Sequence, residues 1–284
     1  MMKKLLLTCM TVLLCLSCNL QAVEKKKVLV IMSNVDKLQL KDGKTYETGF
    51  FLNEFSVPVK ALLDAGFDVV VATPQGKKPP MDKKSKDPMF FQNDKQEMNE
   101  AFKLTEKVLA KKNIKKLSNV SDGNLNEFAG VFIPGGHAPM VDLMVDPSVG
   151  KILTYFHKNA KPTAMICHGP IASIAVLENP AAFRKELTID NKDAAEKLAE
   201  DWIYKGYEMT VFSTNEEKEA EKNQLKGKVE FYPEEALEIA GAKIKNKDVM
   251  QDNVIQDREL ITGQNPVSDN DLAKTLIEAM NKAK

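Results

Sequence analysis

Continuous apolar runs alternate with amphipathic segments along most of this chain. The runs at 26–33 (KKVLVIMS), 68–74 (DVVVATP), 129–136 (AGVFIPGG) and 162–166 (PTAMI) are short, and several are rich in β-branched residues. Such runs are typical of strands that are covered on both faces. Between the first two runs, residues 51–63 place apolar side chains at helical spacing. The order of strand, helix and strand predicts a parallel α/β sheet.

The segments between these runs predict one α/β domain, 23–284, with two insertions. Residues 75–128 contain a Lys- and Pro-rich loop and a charged amphipathic helix, and residues 180–206 have helical patterning without a strand signal. The run at 207–213 (YEMTVFS) predicts a return to the sheet. Residues 249–263 predict two further strands about a turn.

The first 22 residues have the pattern of a secretory signal peptide. Two lysines precede an apolar stretch from Leu5 to Leu16, and small and polar residues follow. Cys18 stands where a lipoprotein signal is cut and lipidated, and cleavage after Ala22 is the alternative. We therefore expect an exported protein that is either periplasmic or lipid-anchored in a bacterial cell envelope, with no membrane contact other than a lipid at Cys18.

The charge balance gives no reason to expect a nucleic acid partner. The full chain has 40 basic and 40 acidic side chains, and either cleavage removes two lysines, which leaves a net charge of −2. A nucleic-acid-binding surface normally requires an excess of basic residues.

Cysteine usage points to chemistry. Three of the four cysteines lie within the first 18 residues, so Cys167 is alone in the folded body and cannot form an intramolecular disulfide. A small buried hydrophobe is the alternative reading of a lone cysteine.

Cys167 lies between an apolar strand and a helix predicted to begin near Gly169. A nucleophile on such a turn is exposed at the carboxyl end of the sheet, where open α/β folds bind ligands. The amides at the start of that helix favour the thiolate over the thiol. A thiolate that adds to a carbonyl creates an oxyanion, for which we assign the backbone amides of Gly136 and His168. The Gly135-Gly136 pair also fits a simple tight turn after a strand.

Two of the three histidines lie near this turn. His168 can move protons on a substrate if an acid holds its ring, although side chains that are adjacent on a strained turn can diverge. His137 follows Gly136 and is assigned to the substrate pocket with Gly135. His157 lies on a lysine-rich helix face and is expected to be solvated. No ligand cluster with metal spacing is present, so we expect no metal and no cofactor.

Glu54 lies within the apolar segment GFFLNEFSVP. A desolvated carboxyl tends to stay protonated, and it can then donate a hydrogen bond to a thiolate. An exposed glutamate in the first turn of a helix is the alternative, because a carboxylate is favourable there.

These motifs together resemble the DJ-1/PfpI superfamily, in its branch similar to the Hsp31 chaperone-glyoxalases. The matching pieces occur in family order across nearly all of the mature chain: ETGFFLNEFSVPVKALLDAGFDVVVATPQG, GVFIPGGHAPMVDL, TAMICHGP, YKGYEMTVFSTNEE and LITGQNP. The resemblance implies a flavodoxin-like three-layer sandwich with a mostly parallel central sheet, and a homodimer.

The resemblance also implies roles for individual residues. It makes Cys167 the nucleophile, His168 the base and Glu54 the glutamate that bonds the thiol. It further implies a carboxylate after the TVF strand that orients the histidine, which is Glu217 here, with Glu216 as the second choice.

The implied function is glutathione-independent conversion of methylglyoxal or glyoxal to a hydroxy acid through a cysteine hemithioacetal. A cysteine amidase, peptidase or deglycase would use the same residues through an acyl-enzyme. A third alternative is a holdase chaperone or redox sensor of the cell envelope, with Cys167 oxidised rather than catalytic.

Overall fold

A computed structural model describes residues 25–283, and its centre is a seven-stranded sheet. The strands of the described residues are β1 (Lys27–Ile31), β2 (Lys37–Gln39), β3 (Thr45–Glu47), β4 (Asp68–Thr73), β5 (Ile114–Lys116), β6 (Phe128–Ile133), β7 (Thr163–Ile166), β8 (Glu208–Met209), β9 (Lys243–Ile244), β10 (Val254–Asp257) and β11 (Leu260–Gly263).

The central sheet has the order β10-β11-β7-β6-β1-β4-β5. All of its neighbouring pairs are parallel except β10 with β11, which form an antiparallel edge. Parallel pairing requires crossover segments that cover the faces of the sheet. The remaining strands form two small sheets, β2 with β3 and β8 with β9.

The α-helices of the described residues flank both faces of this sheet. They are α1 (Leu52–Asp64), α2 (Lys95–Val108), α3 (Leu117–Ser121), α4 (Pro147–Lys158), α5 (Pro180–Thr188), α6 (Lys192–Leu198), α7 (Thr214–Ala220), α8 (Pro233–Ile239) and α9 (Asp269–Lys282).

Alternating side chains of β1 contribute to two separate cores. Val28 and Val30 pack in the cluster that holds the apolar faces of α1 and α9, whereas Leu29 and Ile31 pack in the cluster that includes α4. This alternation follows from the two-residue period of a strand. The structure is therefore a three-layer α/β sandwich with a mostly parallel sheet, and the predicted fold class is confirmed.

The run at 207–213 does not rejoin the central sheet as predicted. Only β8 forms there, and it pairs with β9. Side chains take the place of a strand ladder: the amide of Thr210 donates to Thr262 Oγ1, and that of Val211 donates to Asn246 Oδ1. The apolar pattern thus indicated burial correctly, while side chains accept from the amides of Thr210 and Val211 in place of a neighbouring strand.

The segments predicted as insertions contribute to the body of the domain. Residues 75–128 supply the edge strand β5, which the sequence did not reveal, and α2 packs against α1. Residues 180–206 form α5 and α6, and their buried side chains, including Phe183 and Tyr204, belong to the core on the α4 face. The predicted signal segment 1–22 and Cys18 lie outside the described residues. No helix within 25–283 combines the length and the apolar character needed to cross a bilayer.

Candidate active site

Cys167 occupies a strained backbone turn at the carboxyl end of β7. Its φ is 59°, in the left-handed region that side chains other than glycine rarely adopt. Its amide donates to the carbonyl of Gly263 at 2.8 Å, and its carbonyl accepts from the amide of Phe212 at 2.9 Å. The helix that follows, Gly169–Val176, is of the 3-10 type. These contacts fix the turn from two sides and hold the sulfur above the sheet.

His168 links the sulfur to a buried carboxylate. Its Nδ1 lies 3.2 Å from Cys167 Sγ, and its Nε2 lies 2.7 Å from Glu217 Oε2. The two neighbouring side chains therefore do not diverge, as the sequence allowed, but meet. Phe212 stacks on the outer face of the ring with the centroids 4.6 Å apart. The result is a fixed array of thiol, imidazole and carboxylate.

Glu217 accepts from a second histidine as well. Its other oxygen, Oε1, lies 2.8 Å from Nε2 of His137, and the two imidazole centroids are 4.0 Å apart. Sequence reasoning placed His137 in the pocket but missed this contact. The available signal was its position just after β6, the strand next to β7, because the carboxyl ends of parallel neighbours meet at one edge.

Glu216, the alternative orienting acid, contacts neither histidine through a hydrogen bond in the described structure. It forms a capping box with Ser213 at the start of α7. Its carboxylate also accepts from the amide of Met250 at 2.9 Å and from the side-chain amides of Gln264 and Asn265 at 3.0 and 2.8 Å. Glu216 therefore joins α7 to the loops before β10 and after β11, and Glu217 alone faces the histidines.

Glu54 is fully buried in the first turn of α1. Burial raises the pKa of its carboxyl to about 8, and the neighbouring thiol of Cys167 and amide of Gly135 lower it in part. Neither carboxyl oxygen has a partner within hydrogen-bond geometry among the described residues. The preceding residue anchors this turn, because the Asn53 side chain donates to Asp269 Oδ2 at the start of α9. The alternative reading, an exposed glutamate, is therefore wrong.

Gly135 and Gly136 bring backbone close to the sulfur. A Cβ on Gly135 would collide with Cys167 and the Glu54 carboxyl, and a Cβ on Gly136, where φ is +88°, would collide with the carbonyl of Gly49. The amide of Gly136 acts on the thiol of Cys167 and lowers its pKa. When the sulfur adds to a carbonyl, the same amide is near enough to the sulfur to donate to the resulting oxyanion. The alternative of a simple tight turn does not account for these approaches.

The charges of the array are set by burial and by Glu217. Burial raises the pKa of the Cys167 thiol well above its usual range, and the charge of Glu54 raises it further. The resting site therefore holds a thiol, not the thiolate expected from the helix amides, because burial outweighs the dipole of one short 3-10 helix. Burial and the charge of His137 lower the pKa of His168 to about 4.

The remaining two groups, Glu217 and His137, shift each other's pKa in opposite directions. Burial alone would raise the pKa of Glu217, but His137 and His168 lower it below the usual range. Burial alone would lower the pKa of His137, but the charge and hydrogen bond of Glu217 raise it. At neutral pH, Glu217 is therefore ionised and His168 is neutral, while the charge of Glu217 favours the protonated form of His137.

The sulfur opens into a cavity of about 280 Å³. Its lining comes from α1, the 3-10 helix Pro88–Phe91, the Gly136 turn, α7 with the π-helical turn after it, and the loop before β10. The lining residues are Phe51, Met89, Phe90, Gly136, His137, Cys167, His168, Phe212, Glu216, Glu219, Ala220, Asn223, Gln224, Val249, Met250 and Pro266. Gly135 lies behind the sulfur and not in this lining.

Comparison with known proteins identifies this constellation. Residues 46–188, half of the chain, match the DJ-1/PfpI family model. The chain belongs to the DJ-1/PfpI family. The protein/nucleic acid deglycase HchA of Staphylococcus aureus (strain bovine RF122 / ET3-1) is 31% identical over 264 residues, which cover 91% of this chain and 81% of the relative. This relative supports the Hsp31-like branch.

Two solved structures show the same DJ-1/PfpI fold. The X-ray structure of Rapid Encystment Protein 24 kDa from Francisella tularensis has a TM-score of 0.67 at 24% identity and covers 90% of this chain and 99% of its own. The crystal structure of glyoxalase III from Candida albicans has a TM-score of 0.61 at 23% identity and covers 89% and 96%. At these identities, the two structures establish the fold alone.

The family model includes Glu54, Gly136 and Cys167 but ends before Glu217. The orienting carboxylate is thus supplied by a part of this DJ-1/PfpI chain outside the matched segment.

His137, His168 and Glu217 form the one group of potential metal ligands among the described residues. Their ligand atoms lie within 4.8 Å of one another, a proximity that the sequence spacing did not reveal. Both carboxylate oxygens already face imidazole nitrogens, one each. Each of the two imidazoles is therefore hydrogen-bonded to its own oxygen of Glu217.

Proposed function

We propose that this protein converts small reactive α-oxoaldehydes, such as methylglyoxal, to 2-hydroxy acids without glutathione. The observation that carries the proposal is the continuous array from Cys167 Sγ through His168 to Glu217 at the wall of a cavity. In this enzyme of the DJ-1/PfpI superfamily, the thiol of Cys167 takes the place of the thiol of glutathione.

The first step generates the thiolate. Because the Glu217 carboxylate can only accept, Nε2 of His168 must donate to it, and Nδ1 is then free to accept a proton. That nitrogen takes the proton of the Cys167 thiol at 3.2 Å. The thiolate adds to the aldehyde carbon and forms a hemithioacetal, whose oxyanion is stabilised by the amides of Gly136 and His168.

The second step moves a proton between the two carbons. Because the pKa of Glu54 is about 8, about a tenth of the molecules hold it as a carboxylate at neutral pH. In that form it accepts the proton from the hemithioacetal carbon and returns it to the neighbouring carbon. His137 lines the cavity, and its Nδ1 has no protein partner among the described residues. This nitrogen is available to the ketone oxygen. The first carbon is oxidised to a thioester while the second is reduced to an alcohol, so the step balances without a cofactor.

The third step releases the product. Water adds to the thioester, the carbon–sulfur bond breaks and the thiol is regenerated with its proton. Methylglyoxal would give lactate. His168 gives the proton that it took from the thiol to the oxygen of the new alcohol and is then neutral. It can therefore take a proton from the attacking water and pass it to the sulfur that leaves.

Removal of glycation adducts is the second candidate function. It is supported by the printed name of the relative, a protein/nucleic acid deglycase, and by a cavity larger than a simple dicarbonyl needs. That name also means that the even charge balance does not exclude glycated nucleic acid as a substrate. The substrate class would then be an adduct of a reactive carbonyl on an amine or guanidine.

The test is turnover of methylglyoxal by the purified domain without glutathione, with lactate followed by proton NMR. We expect lactate from the wild type and none from Cys167→Ser. A folded wild type whose Cys167 reacts with an alkylating reagent but which gives no lactate would refute the glyoxalase proposal. Release of free amine from a glycated peptide would then be measured on the same two proteins.

We also propose export to the cell envelope and a homodimer. Export is supported by the pattern of residues 1–22 and Cys18. Cell fractionation of the wild type and Cys18→Ser distinguishes a lipid anchor, which the variant loses, from a soluble periplasmic form. Light scattering on the purified domain tests the dimer.

A further inference from the structure

The mouth of the active-site cavity is apolar and exposed. The described residues include six exposed large hydrophobic side chains, and three of them, Met89, Val249 and Met250, line this one cavity. They are 58%, 42% and 39% exposed. Apolar side chains grouped at a concave site mark a surface that binds something apolar. We name these three residues, together with Phe90, the apolar rim.

The apolar rim is held in place by the same residues that build the site. The amide of Met250 donates to Glu216 Oε1 at 2.9 Å, and Gln251, next to it, accepts from the side chain of Asn265. On the opposite side, Phe90 packs edge-on against Phe51, with ring centroids 5.1 Å apart. The rim is therefore pre-formed around the cavity, so that binding does not have to order it.

The cavity is also too large for methylglyoxal, which carries only a methyl group beside its two carbonyls. A volume of about 280 Å³ lies near the lower end of the range, about 300–1,000 Å³, in which pockets bury ligands of drug size. Methylglyoxal at the sulfur would leave most of the apolar rim in contact with water.

The charges around the cavity exclude one class of substituent. Glu216 and Glu219 are among the lining residues, and Lys and Arg are absent from the described part of the lining. An anionic substituent would meet acidic groups with no Lys or Arg to pair with, and the histidines of the lining, His137 and His168, are already hydrogen-bonded to Glu217.

We infer that the preferred substrates are α-oxoaldehydes with an uncharged apolar substituent of about the size of a phenyl group. This inference rests on the proposed function and specifies its substrate class. The carbonyl carbons would lie at Cys167 and the substituent against the apolar rim. The reaction is the one described above, with the substituent retained in the 2-hydroxy acid.

The test compares kcat/KM for methylglyoxal, phenylglyoxal and 4-carboxyphenylglyoxal. One methylene in an apolar pocket changes specificity by about 10- to 200-fold, so we expect phenylglyoxal to exceed methylglyoxal by about tenfold or more. The carboxylated compound is expected to fall at least about tenfold below phenylglyoxal. Since phenylglyoxal differs in intrinsic reactivity, the decisive quantity is the change of these ratios in variants.

The rim variant is the double substitution Met89→Gln and Val249→Thr, which keeps side-chain size while adding polar groups. We expect it to lower the phenylglyoxal-to-methylglyoxal ratio about tenfold. The matched control is Ile189→Gln, which changes an exposed hydrophobic residue at the end of α5 and should leave the ratio at the wild-type value.

The outcomes separate this inference from the proposed function. If none of the three aldehydes is turned over, the proposed function fails. If methylglyoxal is turned over but the rim variant leaves the ratio unchanged, the inference is overturned and the glyoxalase proposal stands. If the rim variant instead converts a dimer to a monomer without changing the ratio, the rim is an interface between copies, which also overturns the inference.

Discussion

The protein contains two clusters in which a histidine faces a buried glutamate. In the active site, His168 and His137 share Glu217, beside Cys167. In the second cluster, Nδ1 of His157 lies 2.8 Å from Glu259 Oε1. The hydroxyl of Tyr207 donates to the same carboxylate at 3.1 Å. His157, expected to be solvated, is thus paired.

The two clusters lie at opposite ends of the same pair of parallel strands, β7 and β11. At one end, the amide of Thr163 donates to the carbonyl of Glu259, and at the other end that of Cys167 donates to Gly263. The four residues of β7 separate them by about 13 Å. A histidine–glutamate pair is therefore common to both, while a thiol, backbone donors and a cavity occur only at the carboxyl end. A histidine–glutamate pair alone therefore does not indicate catalysis; its position at the carboxyl end of the sheet, beside a thiol and a cavity, does.

The largest expected difference between the clusters comes from removing the charge of each glutamate. Glu217→Gln keeps the shape of the side chain but cannot accept from both histidines, so His168 loses its tautomer and orientation. We expect kcat to fall by about 10³ to 10⁴. Glu259→Gln should change kcat less than about threefold. Steady-state kinetics on both variants check this, and comparable losses would show that the far cluster takes part in catalysis.

Glu54→Gln should reduce activity by about 10², because its proton transfer is lost. It should also alter the dependence of stability on pH. The ordinary pKa of 4.5 rises to about 8 in the folded protein. Between these values the folded state binds more protons than the unfolded state, so wild-type stability is full below about 4.5 and falls as pH rises to about 8.

The Gln variant lacks that loss. The stability of Glu54→Gln minus that of the wild type should therefore be greater at pH 8 than at pH 5, by about 1 kcal/mol or more in the free energy of unfolding. Urea unfolding at the two pH values measures the difference, with the exposed Glu219→Gln as the control. Equal differences at both pH values would contradict the burial-driven pKa.

A smaller effect is expected from His137→Asn, about tenfold in kcat/KM. The positive charge of His137 helps to hold the pKa of His168 at about 4. Its loss should raise that pKa and move the acid limb of the pH profile of kcat/KM to higher pH. His157→Asn is the control and should leave the profile in place. An unmoved limb in His137→Asn would mean that the two imidazoles are not electrostatically coupled.

The smallest effect concerns the far cluster alone. Tyr207→Phe removes the hydroxyl that donates to Glu259, which should lower the free energy of unfolding by about 1 kcal/mol. Activity should remain at the wild-type level. Thermal unfolding and kinetics on one preparation measure stability and activity. A drop in kcat would show that the far cluster is coupled to the active site.

The elements found from the sequence were those with strong local patterns. Cys167 was predicted because the strand, the nucleophile and Gly169 are adjacent in the chain. Contacts over long separations were not accessible: His137 and Glu217 are 80 residues apart, and His157 and Glu259 are 102 apart. Glu217 came from the resemblance to a known family and not from spacing.

The main error of sequence reasoning at the site concerned the protonation state of Cys167, for which a thiolate was expected. A pattern can place Cys167 at a helix start, but its pKa depends on how completely the surrounding layers exclude water. The apolar rim was missed for the same kind of reason. Met89, on the 3-10 helix Pro88–Phe91, and Val249, on the loop before β10, are 160 residues apart in the chain, and their common cavity exists only in the folded protein.

Hydrogen bonds from β11 and the loop after it hold the active site together, and this determines when the site can form during synthesis. The turn at Cys167 depends on Gly263, and the acid that holds α7, Glu216, depends on Gln264 and Asn265. Gly263 and Asn265 follow Cys167 by 96 and 98 residues, so a ribosome synthesises the thiol well before these partners. Until then the nascent protein has its thiol but not the catalytic array, so competence arrives in one late event rather than gradually.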